Sequence, residues 1–255
     1  MFSYITSLLA DPRQTLIIFL LAFPARILAI SAHEFAHAWM ANRCGDPTAR
    51  MMGRMTLNPV KHLDLLGTVM MLLLGFGWAK PVPVNPRNFK NYRRDDLKVS
   101  LAGITMNLLL CLLGYLLCSV IVYTALRRVG LDNIANLGEL MRYAADIAPS
   151  LMEETLGWLM SYVYQMLQYF VYVNISLAIF NLLPVPPLDG YHALNDLILK
   201  RSLFASEKTA RIATLVLIGL MASGLLGDLL GYAVSGALLG VGRAFEALYS
   251  LVGLI

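Results

Sequence analysis

The chain has 255 residues, 58% of them hydrophobic, and a mean hydropathy of +0.65, well above the apolar share of about 45–50% usual for soluble domains. Its formal charge of +4 sits in loops that flank apolar segments, where basic residues set membrane orientation and meet anionic lipid, so a nucleic-acid partner is not expected. Three cysteines, with Cys111 and Cys118 inside one apolar run and Cys44 just after another, form no disulfide framework and read as small hydrophobes.

No polar block is long enough for a soluble domain, so the expectation is an all-α polytopic membrane helix bundle, a single domain over 1–255. The N-terminus, "MFSYITSLLADPRQ", lacks a basic region and a small-residue cleavage site, and a removed signal peptide is not expected. A spanning helix needs about 20 largely apolar residues. Residues 15–41, 99–126, 155–183 and 212–230 meet this, and 232–255 reads as either a fifth span or an interfacial helix, with Arg243 and Glu246 near its middle. That gives four to five spans. Between the first two, "GTVMMLLLGFGW" (Gly67 to Trp78) is too short to cross and is bracketed by glycines, which predicts a re-entrant or interfacial element. In "AKPVPVNPRNFKNYRRDD", which follows, Pro81, Pro83 and Pro86 forbid regular helix and predict a surface strand or polyproline-like chain.

Nine Lys and Arg residues lie between Arg43 and Arg94, against Arg127, Arg128 and Arg142 alone in the next loop. The first loop is therefore expected to be cytoplasmic and the N-terminus outside. By the same count, span three ends on the cytoplasmic side, where Lys200, Arg201 and Lys208 follow. The C-terminal ends of spans one and three then share a face.

Span one contains "SAHEFAHAW". His33 and His37 are four residues apart, so a helix puts both imidazoles on one face, where they can hold one ion at Zn–N distances of about 2.0–2.1 Å. Glu34 can reach a water on that ion without ligating it. This is the HExxH arrangement, with two ligands, a general base and a metal-bound water of pKa about 7. Glu34 lies nine residues before Arg43, roughly 13 Å along the helix, within the hydrocarbon zone. An unpaired carboxylate at mid-bilayer costs about 2.5–3.5 kcal/mol on translocon scales, which argues against an accidental cluster.

Catalytic zinc usually takes three protein ligands and leaves a position for water. Asp189, in "FNLLPVPPLDGYHAL", lies just past the cytoplasmic end of span three on a backbone stiffened by Pro184, Pro186 and Pro187, and can turn back towards span one. A helix N-cap before Gly190 is its plainer reading. His192 reads as an interfacial or second-shell histidine, and His62 as a loop residue. Arg26, seven residues before His33, shares the zinc face about 10 Å deeper. It reads either as an interior arginine bonded to backbone carbonyls or as a contact to substrate backbone.

"HEFAH", "GWAKPVPVNPRNFKNYRRDD" and "NLLPVPPLDG", in that order, resemble the site-2 protease family of intramembrane zinc metalloproteases, and among them the compact prokaryotic group without a PDZ domain. The resemblance runs from about Leu28 to Leu197 and implies a core of spans one, two and three. It implies His33, His37 and Asp189 as zinc ligands, Glu34 as the base, and a transmembrane protein substrate; control is expected from a regulatory membrane partner, prior trimming of substrate or the C-terminal segment. It further implies that Asn107 and Asn181 hold substrate or support the oxyanion; from the residues alone, the same amides read equally as helix–helix glue. The 80–94 segment likewise reads either as a basic linker at the headgroups or as an extended edge that pairs with unwound substrate. The chain departs from the family pattern at Ala102-Gly103-Ile104, where a proline often follows the glycine. Two other classes fit an HExxH in a membrane helix: a zinc transporter and a catalytically silent metal-binding scaffold.

Overall fold

The fold is described from a computed structural model that covers residues 10–74, 77–128, 150–199 and 206–251. Arg142, Lys200, Arg201 and the C-terminal residues 252–255 lie outside them. Among the described residues the regular structure is helical: α1 (Pro12–Cys44), α2 (Leu65–Leu74), α3 (Tyr92–Arg128), α4 (Trp158–Asn181), the short α5 (Asp189–Leu194), α6 (Glu207–Ser223) and α7 (Leu225–Leu251). Four of these, α1, α3, α4 and α7, are long and apolar enough to cross a membrane. The chain is a polytopic membrane helix bundle.

α1 buries Ala22, Ala25, Ala29, Ala32 and Ala36, a seam at alternating spacings of three and four residues. Small side chains let helix backbones approach closely where lipid supplies no hydrophobic drive, so this seam brings α1 against α3 and α4. α1 ends in a Schellman turn: Gly45 takes φ 109°, and the Asp46 N–H donates to the Ala41 carbonyl at 2.9 Å. Asp46 is delivered inward and is fully buried.

α3 starts at a reciprocal cap, with the Asn91 side chain accepting from the Arg94 N–H and the Asp95 carboxylate accepting from the Asn91 N–H. Its 37 residues extend about 55 Å, well beyond a hydrocarbon core of about 30 Å. The main core lies where α3 meets α4 and α7. Cys111, Tyr115, Cys118 and Val122 pack there with Tyr164, Val171, Ile175 and Val234, and both cysteines are free thiols acting as small apolar residues, as is the buried Cys44. Gly114 sits at the α3–α4 crossing, where an added Cβ would meet Val171 Cγ2 at 2.8 Å.

The short element expected between the first two spans is held by close backbone contacts. α2 is short, and Gly67 and Gly77 approach so closely that a Cβ on either would strike the other strand of the turn, at the Trp78 and Gly67 carbonyls. An isolated antiparallel bridge, Leu63 to Ala79, closes the base of this hairpin. The proline-rich segment that follows is extended without a sheet partner up to a single 3-10 turn, Pro86–Asn88.

The C-terminal region differs from the sequence expectation. Gly224 adopts φ 85°, a left-handed stop inside the expected 212–230 span. The chain is divided there into α6, capped by Ser206 and Thr209, and the long α7 over much of the 232–255 segment. Continuous apolarity hid the break, because lipid-facing and buried positions are equally apolar in such a helix.

Gly114→Leu is expected to destabilise the α3–α4 crossing by about 1–3 kcal/mol through overpacking, read as a lower thermal midpoint in detergent. Gly231→Leu, at a position with open space around it, should leave the midpoint unchanged.

Candidate metal centre

His33 and His37 are both buried on the face of α1 that meets α3. Each ring is oriented by its Nδ1. His33 Nδ1 lies 2.6 Å from Asn107 Oδ1 and His37 Nδ1 lies 2.7 Å from the Val99 carbonyl oxygen, both groups being on α3. A carbonyl only accepts, so His37 Nδ1 carries the proton. The Asn107 amide is oriented by the same logic: its nitrogen donates to the Ala29 carbonyl at 3.3 Å and to Asn174 Oδ1 at 2.8 Å, so its oxygen must face His33. In the neutral rings both Nε2 atoms are then left with lone pairs.

Those two Nε2 atoms are 3.0 Å apart, and Asp189 Oδ2 lies 3.3 Å from each. Asp189 Oδ2 is buried and accepts no hydrogen bond. Three electron-pair donors converge with no proton between them, an arrangement that repels itself unless a cation is shared. The edges suit one: two ligands at about 2.0–2.1 Å around a tetrahedral ion are about 3.3–3.4 Å apart.

Asp189 reaches the site because α4 stops at a proline turn. Leu183 and Val185 close tight turns, and α5 opens at Asp189. Gly190 lies against the Leu182 and Leu183 carbonyls, where a Cβ has no room. α6 holds the turn through a Thr214 Oγ1 bond to the Pro186 carbonyl, and Leu217 and Leu226 pack against Leu188. On the other side, Gly103 of α3 faces both imidazoles so closely that a Cβ would strike His37 Nε2.

Glu34 lies beside the trio, half-buried, and its Oε2 accepts the Val82 N–H at 2.8 Å. Asn107 is fully buried with its oxygen on His33 and its nitrogen on Ala29 and Asn174, bonds that join α1, α3 and α4. Asn181 donates to the Leu177 carbonyl on its own helix. Asn174, two turns earlier on α4, is the amide that joins the site, and its own nitrogen donates to Phe170 O. Its sequence signal was only one amide among four on that span, with Gln165, Gln168 and Asn181.

His192 pairs with Asp96 at 3.2 Å, which raises its imidazole above the ordinary value, and it stands outside the trio. His62 is fully buried in the loop, with Nε2 2.7 Å from the Thr56 carbonyl. Arg26 is half-buried on α1, within electrostatic reach of Tyr169.

Two histidines on a membrane-spanning helix and an aspartate just past another, gathered beside a glutamate, define a helical membrane protein with a candidate metal centre. Residues 19–224 match the family model described as Peptidase family M50, the site-2 protease family, and the chain belongs to that family. The match contains every residue of the trio and ends at the Gly224 break, so α7 lies beyond it. The chain is 37% identical over 172 residues to YwhC of Bacillus subtilis, whose name is given provisionally as a zinc metalloprotease, covering 68% of this chain and 66% of that protein. It is 28% identical over 182 residues to Rip2 of Mycolicibacterium smegmatis, covering 69% of this chain and 57% of the relative, and 26% identical over 208 residues to Rip2 of Mycobacterium tuberculosis, covering 78% and 67%. The chain thus spans less than two thirds of the first two relatives. No solved structure matches it.

Asn107→Ala is expected to lower metal affinity by about 10–100-fold while the helical fold is kept, because the ring it orients loses its outer partner. Competition with a fluorescent chelator, alongside circular dichroism, measures both. Gly190→Ala should lower affinity as well, by displacing the Asp189 turn.

Proposed function

We propose that this chain is an intramembrane zinc metalloprotease that hydrolyses a peptide bond within or next to a transmembrane segment of a membrane protein, in regulated intramembrane proteolysis. The observation that carries this reading is the convergence of His33 Nε2, His37 Nε2 and Asp189 Oδ2 beside Glu34 on a membrane-spanning helix. The family, and the zinc in the relatives' names, point the same way. The Lys and Arg distribution supports an orientation with the N-terminus outside and the site towards the cytoplasm of a prokaryotic cell.

In this reading His33, His37 and Asp189 hold the ion, and Asn107 and the Val99 carbonyl keep both imidazoles turned so that Nε2 faces it. Bound zinc supplies a water of pKa about 7 and a Lewis acid for the scissile carbonyl. Glu34 takes the proton of the attacking water on its carboxylate and passes it to the leaving nitrogen as the C–N bond breaks. A substrate helix has its carbonyls occupied, so it must be unwound before attack. The proline-stiffened 80–85 segment, which reaches Glu34 through Val82, is the extended edge that supports the unwound form.

Glu34→Gln is expected to lower cleavage of a transmembrane peptide in proteoliposomes by about 10²–10⁴-fold while leaving zinc content at the wild-type level. Retained cleavage would overturn the assignment of the base. Unchanged zinc flux through the variant vesicles would favour a transporter instead.

A further inference from the structure

We infer that the segment from Lys80 to Asn88 is a tethered strap whose Val82 N–H is a positioning donor for Glu34, and that Arg54 and Asp46 are the two clamps that keep it in register. This rests on the protease reading above. Among residues 81–83, Val82 alone has a backbone N–H, because its neighbours are Pro81 and Pro83. That single donor goes to Glu34 Oε2 at 2.8 Å.

Both ends of the strap are held by buried charges. At one end, an Arg54 terminal nitrogen donates to the Lys80 carbonyl at 2.6 Å and lies 3.3 Å from the Pro81 carbonyl oxygen. Arg54 is only 7% exposed, pairs with no carboxylate among the described residues, and leaves its Nε without a partner. Burying a guanidinium against two carbonyls is a poor way to gain stability, since desolvation of an unpaired cation outweighs such bonds. It does fix the carbonyls directly before Val82. The Lys80 N–H donates to the His62 carbonyl at 2.8 Å, which holds the same point from the loop side.

At the other end, Asp46 is fully buried and accepts from the Asn85 N–H at 2.7 Å and the Asn88 side chain at 2.8 Å, besides Thr48. Burial pushes its carboxyl up, but these donors prevail and hold it below the ordinary carboxylate range, so it stays ionised at neutral pH. Asp46 is the residue whose N–H closes the α1 Schellman turn. α1 therefore carries Glu34 at one point and the clamp for the strap at another, and the strap closes the loop between them. The consequence is a Glu34 carboxylate with one oxygen committed to Val82 and its rotamer set by backbone rather than by solvent.

The test is steady-state cleavage of a quenched-fluorescent peptide built as one transmembrane segment, in phosphatidylethanolamine and phosphatidylglycerol vesicles, with zinc content and thermal midpoint measured on every variant. Val82→Pro removes the N–H and keeps an extended backbone. It is expected to lower kcat by about 10–100-fold with KM within about twofold and zinc content unchanged, the signature of a misplaced catalytic group. Arg54→Gln should show the same split, Arg54→Lys should regain part of the loss, and Arg50→Gln, which removes an exposed charge from the same loop, should match the wild type. Wild-type kcat in Val82→Pro overturns the inference. So does a loss in the Arg54 variants that follows thermal midpoint or zinc content and is not relieved by lysine. If the wild-type chain with zinc bound does not cleave the peptide, the protease reading fails instead; if Glu34→Gln cleaves normally, the assignment of Glu34 as the base fails.

Discussion

The structure depends on one electrostatic constraint: three electron-pair donors, two imidazole nitrogens and a carboxylate oxygen, meet within 3.3 Å of one another in a low-dielectric bundle. Such a cluster is stable only around a cation, and the neighbouring sequence is shaped to keep it so. Gly103 gives the imidazoles room, Val99 and Asn107 occupy the ring nitrogens that face away, and Gly190 lets the aspartate turn approach α4. The polar chain from His33 through Asn107 to Asn174 and Phe170 links α1, α3 and α4 and leaves no member of it unpaired. The same bonds that set the ring tautomers therefore also fasten three spans together.

Much of this was legible in the residues because it is local or topological. The four-residue spacing of His33 and His37 fixes a shared helix face, and the Lys and Arg count brings the ends of spans one and three to one side, where Asp189 lies. What could not be read was the choice between equivalent amides. Asn174 and Asn181 are seven residues apart on one helix face, and only the height at which α4 crosses α3 decides which one meets Asn107. The split at Gly224 was hidden for a related reason, since a helix bathed in lipid has no polar face whose end marks a boundary. The strap was foreseen as extended chain from its prolines, but its attachment to Glu34, Arg54 and Asp46 spans 26 to 48 residues of sequence and leaves no periodic trace.

The elements after the site have a supporting place. α6 and the start of α7 pack Leu217 and Leu226 on Leu188, next to Asp189, and Thr214 bonds the proline turn. The rest of α7 lies along α4 and reaches α3 through Phe245, whose ring is 4.9 Å from that of Tyr115. The family match contains the trio and Leu217, while Leu226 and the rest of α7 lie beyond it.

A membrane helix can offer two ligands four residues apart, but it cannot complete such a site alone. The next position on the same face, seven residues on, is about 10 Å along the axis and too far for one ion. Its backbone N–H groups are also consumed by its own hydrogen bonds, so none is left to orient a neighbouring carboxylate. Both deficits have to be met by non-helical chain, which at this depth is tolerated only where protein shelters it. The proline turn at Asp189 and the proline strap at Val82 meet these needs in the same way. Prolines remove donors that would otherwise go unpaired, and polar anchors, the half-buried Thr214 for the turn and the buried Arg54 and Asp46 for the strap, hold what remains. The recurrence of Pro-Val-Pro in both segments is thus a solution to one problem, the supply of a fixed polar group from irregular backbone to the face of a buried helix.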